Sequence, residues 1–149
     1  MDSLMQRYEY LTSQGVSQRA ISTATGISRS TLQRWVAGES RLNQEAQKAM
    51  RNIYQRTVYS TMRQQGASVE LARRASWQVP KTAVKQVTEF GGIVERLTRS
   101  AMLPEMRKLT AMGIDYDVEQ LYQKYGDYVR GWMSSSDDTL GTIKDRYGK

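Results

Sequence analysis

The sequence contains neither cysteine nor histidine. The first absence excludes disulfides, thiolate nucleophiles and Cys-ligated zinc. The second removes the usual neutral-pH general base and the commonest metal ligand. Most enzyme templates fail on those grounds, and no catalytic residue, cofactor or metal is expected. Proline occurs only at Pro80 and Pro104, so long stretches lack a strong breaker. No run approaches the roughly 18 consecutive apolar residues of a membrane span, and no apolar segment follows a basic start. Neither a membrane protein nor a secreted one is therefore expected, and the expected location is the cytoplasm.

Acidic residues are the scarce charge. Fifteen Asp and Glu face 22 Lys and Arg, a formal net charge of +7 over 149 residues. The length is about one domain's worth. An apolar fraction of 39% and a charged fraction of 25% suit a folded chain with a slightly lean core. Net charge is +5 over residues 1–65, +4 over 66–113 and −2 over 114–149. A basic excess in the first three quarters implies a polyanionic partner, the alternative being a basic surface that only aids solubility. Arginine outnumbers lysine 15 to 7, and its planar fork suits bidentate contact with phosphate or guanine.

Apolar residues recur at three and four rather than two, which predicts an all-α chain without strands or repeats. Ser3 is expected to cap a first helix carrying Leu4, Tyr8 and Leu11 and stopped by Gly15. Ser17 caps a second helix through about Thr25, broken at Gly26. Ser28 caps a third over residues 29–37, ended by Gly38. Asn43 starts a longer fourth helix to about Gln65. In it Ala46, Ala49, Met50 and Ile53 share one face, while Tyr54, Val58, Thr61 and Met62 form a stripe rotated by roughly a third of a turn. One helix with two such stripes is expected to connect two packing units.

Ser68 caps a short helix ending near Trp77, and Val79-Pro80 fits a helix start with proline at the first position. Ala83, Val87, Phe90, Val94, Leu97 and Ala101 then follow at 4-3-4-3-4 spacing, a heptad seam. Val87, Phe90, Val94 and Leu97 are its candidate assembly residues, with a break at Gly91-Gly92 and an intramolecular core as the alternative. Pro104 is expected to open a separate short segment to Met112. Asp117 with Gln120 approximates a capping box for a last helix whose apolar face is Val118, Leu121, Tyr122, Tyr125, Val129 and Trp132. Residues 134–138 read as a linker, and the tail to Lys149 as mobile or weakly helical.

The segment from Gln18 to Gly38 reads QRAISTATGISRSTLQRWVAG. Gly26 permits the backbone angle between two short helices, and Ile21, Ile27, Leu32 and Trp35 pin them together. These residues and their spacing resemble the helix-turn-helix of phage repressors and related bacterial regulators, the Cro/XRE-like type. The resemblance covers about a seventh of the chain. Ser22 stands where alanine is usual there, and Thr25 where a larger apolar residue is usual. A recombinase- or transposase-type helix-turn-helix would be similar over the same residues. The resemblance implies that residues 28–37 form a recognition helix for double-stranded DNA. Its inner face would be Thr31, Leu32 and Trp35. Arg29, Ser30, Gln33 and Arg34 would face the major groove, with Ser28 at a phosphate and Arg41 adding a further contact.

Two other clusters are weaker. Arg73 and Arg74 beside Trp77 form a candidate secondary basic cluster, in which the structural reading, arginines exposed and indole buried, is preferred. Asp115, Asp117 and Glu119 imitate a calcium loop only superficially, because Gln120 occupies the position where glycine is required; favourable charge at a helix N-terminus explains them better. The expected organisation is a helix-turn-helix unit with its connecting helix over residues 1–65, a helical assembly unit over 66–133, and a linker and tail over 134–149. The expected function is sequence-specific binding of double-stranded DNA as a transcriptional regulator of phage or bacterial type. A homodimer is expected, or a higher homo-oligomer, at the nucleoid. The alternative is an oligomeric DNA-packaging or structural protein, similar to small packaging-motor subunits or to virion and nucleoid coat proteins. A serine recombinase would need a catalytic domain for which the chain has no room.

Overall fold

The computed structural model describes residues 3–148, with the side chain of Ser3 outside the description. Among the described residues there are eight helices and no strand. They are α1 (Ser3–Ser13), α2 (Gln18–Thr25), α3 (Arg29–Val36), α4 (Gln44–Gln64), α5 (Val69–Ser76), α6 (Pro80–Ala111), α7 (Val118–Ser134) and α8 (Leu140–Tyr147). The expected all-α class is observed. Ser17, Ser28, Asn43, Ser68 and Asp117 each stand at a helix N-cap, where the side chain accepts a backbone N–H two or three residues on. The cap expected at Ser3 and the last tail residue, Lys149, lie outside the described residues.

Two separate cores form. The first joins Leu4, Tyr8, Leu11, Ile21, Ile27, Leu32, Trp35, Leu42, Met50 and Ile53, so it closes α1–α3 against the first half of α4. The second gathers Tyr54, Val58 and Met62 from the second half of α4 with Leu71, Ala75, Val87, Phe90, Ile93, Val129, Met133 and Ile143. The two stripes of the fourth helix therefore feed two cores, as their rotation implies. Helix α1 also takes part in both, because Tyr10 turns toward the second core and packs edge-on to Tyr54 at 5.5 Å between ring centres.

Several expectations for the C-terminal half are corrected. Helix α6 runs unbroken from Pro80 to Ala111, through Gly91-Gly92 and through Pro104. Gly91 is where Gln65 docks: a Cβ there would lie 2.8 Å from the Gln65 Nε2. Pro104 deprives the Ser100 carbonyl of its helical donor, but both residues are exposed and water can replace the bond. The seam expected between chains is closed within one chain. Val87, Phe90 and Val94 are buried in the second core and Leu97 packs against it, so these four do not form an intermolecular face.

On α7 the buried residues are Leu121, Gly126, Val129 and Met133, whereas Val118, Tyr122 and Trp132 are exposed. Trp132 sits at the edge, with its ring against Tyr147 of α8 at 5.4 Å. The segment after residue 134 is not a loose tail. Thr139 caps α8, and Ile143 anchors that helix in the second core. Gly66 ends α4 with φ +102° and lies against the α7 backbone, where an added Cβ would meet the Arg130 Cα at 2.7 Å. Only glycine satisfies both the dihedral and the close approach.

Candidate nucleic-acid interface

Helix α3 is short, so its orientation depends on what surrounds it rather than on intrinsic propensity. Ile21, Leu32 and Trp35 hold its inner face. Trp35 meets the Tyr8 ring edge-on at 5.6 Å, and Tyr8 in turn accepts a hydrogen bond from the Gln18 Nε2 at 3.0 Å. The turn before α3 is built by Gly26 at φ +76°, whose N–H donates to the Ser22 carbonyl.

The two departures from the usual motif stitch that turn with polar bonds. Ser22 Oγ donates to the Ile27 carbonyl, Thr25 Oγ1 donates to the Ile21 carbonyl at 2.6 Å, and the Ile27 N–H donates back to Thr25 Oγ1 at 3.3 Å. Hydrogen bonds thus do locally what apolar contact does in the usual pattern.

The expected outward set is outward. Arg29, Ser30, Gln33 and Arg34 are all exposed, and residues 29 and 33, like 30 and 34, stack one turn apart along one side of α3. Among the described residues no hydrogen bond or ion pair engages the side chains of Arg29, Gln33, Arg34 or Arg41.

Ser28 stands at the N-cap of α3, as expected. Its hydroxyl accepts the Thr31 N–H at 3.2 Å and donates to Thr31 Oγ1 at 2.8 Å, so the hydroxyl is already engaged. The backbone N–H groups of Arg29 and Ser30 in the first turn are the donors left for an anion. A cleft of about 490 Å³ beside this turn is lined by Ser28, Thr31, Arg41 and Asn43 among others. Arg41 is thereby brought next to the start of α3, although it follows that helix in sequence. Thr31, read from the sequence only as an inner-face residue, also lines this cleft; its β-hydroxyl three residues after a serine cap was the available signal.

The secondary cluster is corrected in one respect. Arg73 and Arg74 are exposed as expected, but Trp77 is also exposed, at 71% of its surface. It is the C-cap residue of α5, beyond the buried stripe of Leu71 and Ala75, so no neighbour covers it. Both arginines pair with Glu70. The Asp117 carboxylate caps α7 by accepting the N–H groups of Glu119 at 2.9 Å and Gln120 at 3.4 Å, the helix-terminal role expected of it. Among the described residues no helix is long and apolar enough to cross a membrane.

Residues 8–58 match the family model described as Helix-turn-helix. No curated protein and no solved structure matches the chain. The match spans α2, α3 and the turn that Gly26 makes between them, together with most of α1 and the first part of α4 that complete the first core. The N-terminal third of the molecule is a helix-turn-helix DNA-binding domain of the phage-repressor type.

Proposed function

We propose that the protein is a sequence-specific binder of double-stranded DNA that acts in the cytoplasm as a transcriptional regulator. Two copies would bind two half-sites. The observation that carries this reading is α3 itself: its inner face is locked by Leu32 and Trp35, and its outer face presents unengaged Arg29, Gln33 and Arg34. Arginine reads guanine and glutamine reads adenine in the major groove, the width of which admits one helix. A single helix of this kind reads only a few base pairs, and pairing of two copies is the usual way to lengthen the site. Closure of the α6 seam within one chain favours this reading over a ring-forming packaging or DNA-coating subunit, which would need a large free oligomerisation face.

The test is a binding titration against a duplex selected from a random pool. Arg34→Ala and Gln33→Ala are each expected to lower affinity by about 1–3 kcal/mol and to relax preference at one base step. Unchanged affinity with unchanged preference would remove the recognition role from α3. Eight or more copies per duplex, instead of two, would favour packaging.

A further inference from the structure

The hairpin made by α6 and α7 is covered along only part of its length. Toward its base, Val129 and Met133 are buried, and the α4–α5 turn at Gly66 lies directly on the backbone at Arg130. Toward its tip the cover stops, and no residue from 103 to 120 is buried. Val118 and Tyr122 precede Val129 and Met133 at spacings that keep all four on one face of α7, yet they are 52% and 37% exposed. The sequence thus continues a core-type face beyond the point where this chain supplies anything to pack on it. Between the two helices lies a groove of about 630 Å³ whose walls include Arg99, Leu103 and Met106 on α6 and Val118, Glu119 and Tyr122 on α7.

The two walls carry opposite charge. On α6, Arg107 is exposed and joins no ion pair among the described residues, whereas Arg99 is answered by Glu95, and Lys124 of α7 by Glu105 of α6. The facing side brings Asp115, Asp117 and Glu119. A nucleic acid would require uniform positive charge here. A two-fold axis, by contrast, sets the basic wall of one copy against the acidic wall of the other, and an isologous contact requires that self-complementarity.

We propose that the tip of the α6–α7 hairpin is the self-association surface: two hairpins pair there and complete a four-helix layer over Leu103, Val118 and Tyr122. This surface is distinct from the α6 seam. The inference rests on the paired-copy reading above but not on α3 or on any DNA sequence.

Sedimentation of the full-length chain without DNA tests it. The natural protein is expected to be a dimer at micromolar concentration. Leu103→Glu combined with Val118→Glu is expected to raise the self-dissociation constant by about a hundredfold or more at unchanged helical circular dichroism. Arg107→Glu and Glu119→Arg are each expected to weaken the dimer by about tenfold, and the two together to restore most of it. Because the chain has no cysteine, Leu103→Cys gives a single thiol that is expected to cross-link between copies far faster than Val84→Cys, an exposed residue outside the groove. A monomeric natural protein would overturn both the pairing and the surface. A dimer that Leu103→Glu with Val118→Glu leaves intact, or equal cross-linking at Leu103 and Val84, would overturn the surface alone.

Discussion

The two halves of the molecule hold their positive charge differently. All seven ion pairs among the described residues join side chains between residues 70 and 146, including Arg73 and Arg74 to Glu70, Arg99 to Glu95, and Lys144 to Glu89 at 3.1 Å. None of them involves Arg29, Arg34 or Arg41 of the helix-turn-helix half. Stability does not explain the contrast, since an exposed pair is worth about 0–1 kcal/mol. Availability does. Cations answered by a carboxylate on the same surface produce little field beyond it, whereas Arg29, Arg34 and Arg41 leave their charge for a partner. Net charge alone, +5 and +4 over the first two segments, does not separate the two cases; pairing does.

The strongest way to break the comparison is to cut it. A fragment ending at Gln65 keeps the whole first core but strips the cover from Tyr54, Val58 and Met62, all fully buried in the intact chain. Losing that burial amounts to about 4.5–9 kcal/mol at the usual 1.5–3 kcal/mol per large side chain. The fragment is expected to aggregate or to melt far below the full-length protein, as followed by circular dichroism. A soluble fragment of unchanged melting temperature would show that the halves are independent.

Charge substitutions sharpen the contrast with a smaller effect. Arg29→Ala with Arg41→Ala is expected to lower the slope of log affinity against log salt by about one for each phosphate that is no longer neutralised. Arg73→Ala with Arg99→Ala, which removes the same formal charge from the paired half, is expected to leave that slope nearly unchanged. Equal slopes for the two double variants would erase the distinction between paired and unpaired cations.

The smallest effect concerns the junction between the halves. Burial raises the Tyr54 hydroxyl to about 12, against the lowering influence of the Arg7 guanidinium, which lies 5.2 Å from its ring. The folded state therefore holds this proton at a pH where the unfolded chain, with an ordinary tyrosine near 10, has released it. The stability contribution is complete below pH about 10 and is lost progressively up to about 12. Denaturant melts across that range should show the decline, and Tyr54→Phe should flatten it. At neutral pH that variant forfeits only the bond to the Gln78 carbonyl, 3.1 Å away, about 1 kcal/mol.

Much of this architecture was legible in the sequence because its determinants are local. A serine, asparagine or aspartate before an apolar period caps a helix wherever the chain later packs, and five such caps stand where the residues predict them. The two stripes of α4 were likewise visible, since helical periodicity needs no knowledge of neighbours. What sequence reasoning missed depends on distant partners. That α6 runs on through Gly91 reflects the burial of Phe90, Ile93 and Val94 around it, and the glycine itself leaves room for the Gln65 side chain. Whether α7 buries Trp132 or Met133 depends on where α8 and the α4–α5 turn arrive. Trp77 has the composition of a core residue and is exposed because it stands one position past the end of the α5 stripe. At the interface, the direction of the α3 side chains was legible from Leu32 and Trp35. The approach of Arg41 to the start of α3 was not.

Helix α4 is 21 residues long and enters both cores without a turn between them. An inserted residue between Ile53 and Tyr54 would advance one half by about 1.5 Å and swing it by about 100°, and neither core could absorb that without coming apart. The azimuth of α3 about this axis is therefore fixed relative to the C-terminal hairpin. In an assembly of two copies, the separation and angular phase of the two α3 helices would be gauged by the length and twist of this rod. Such an assembly would carry its own ruler for half-site spacing.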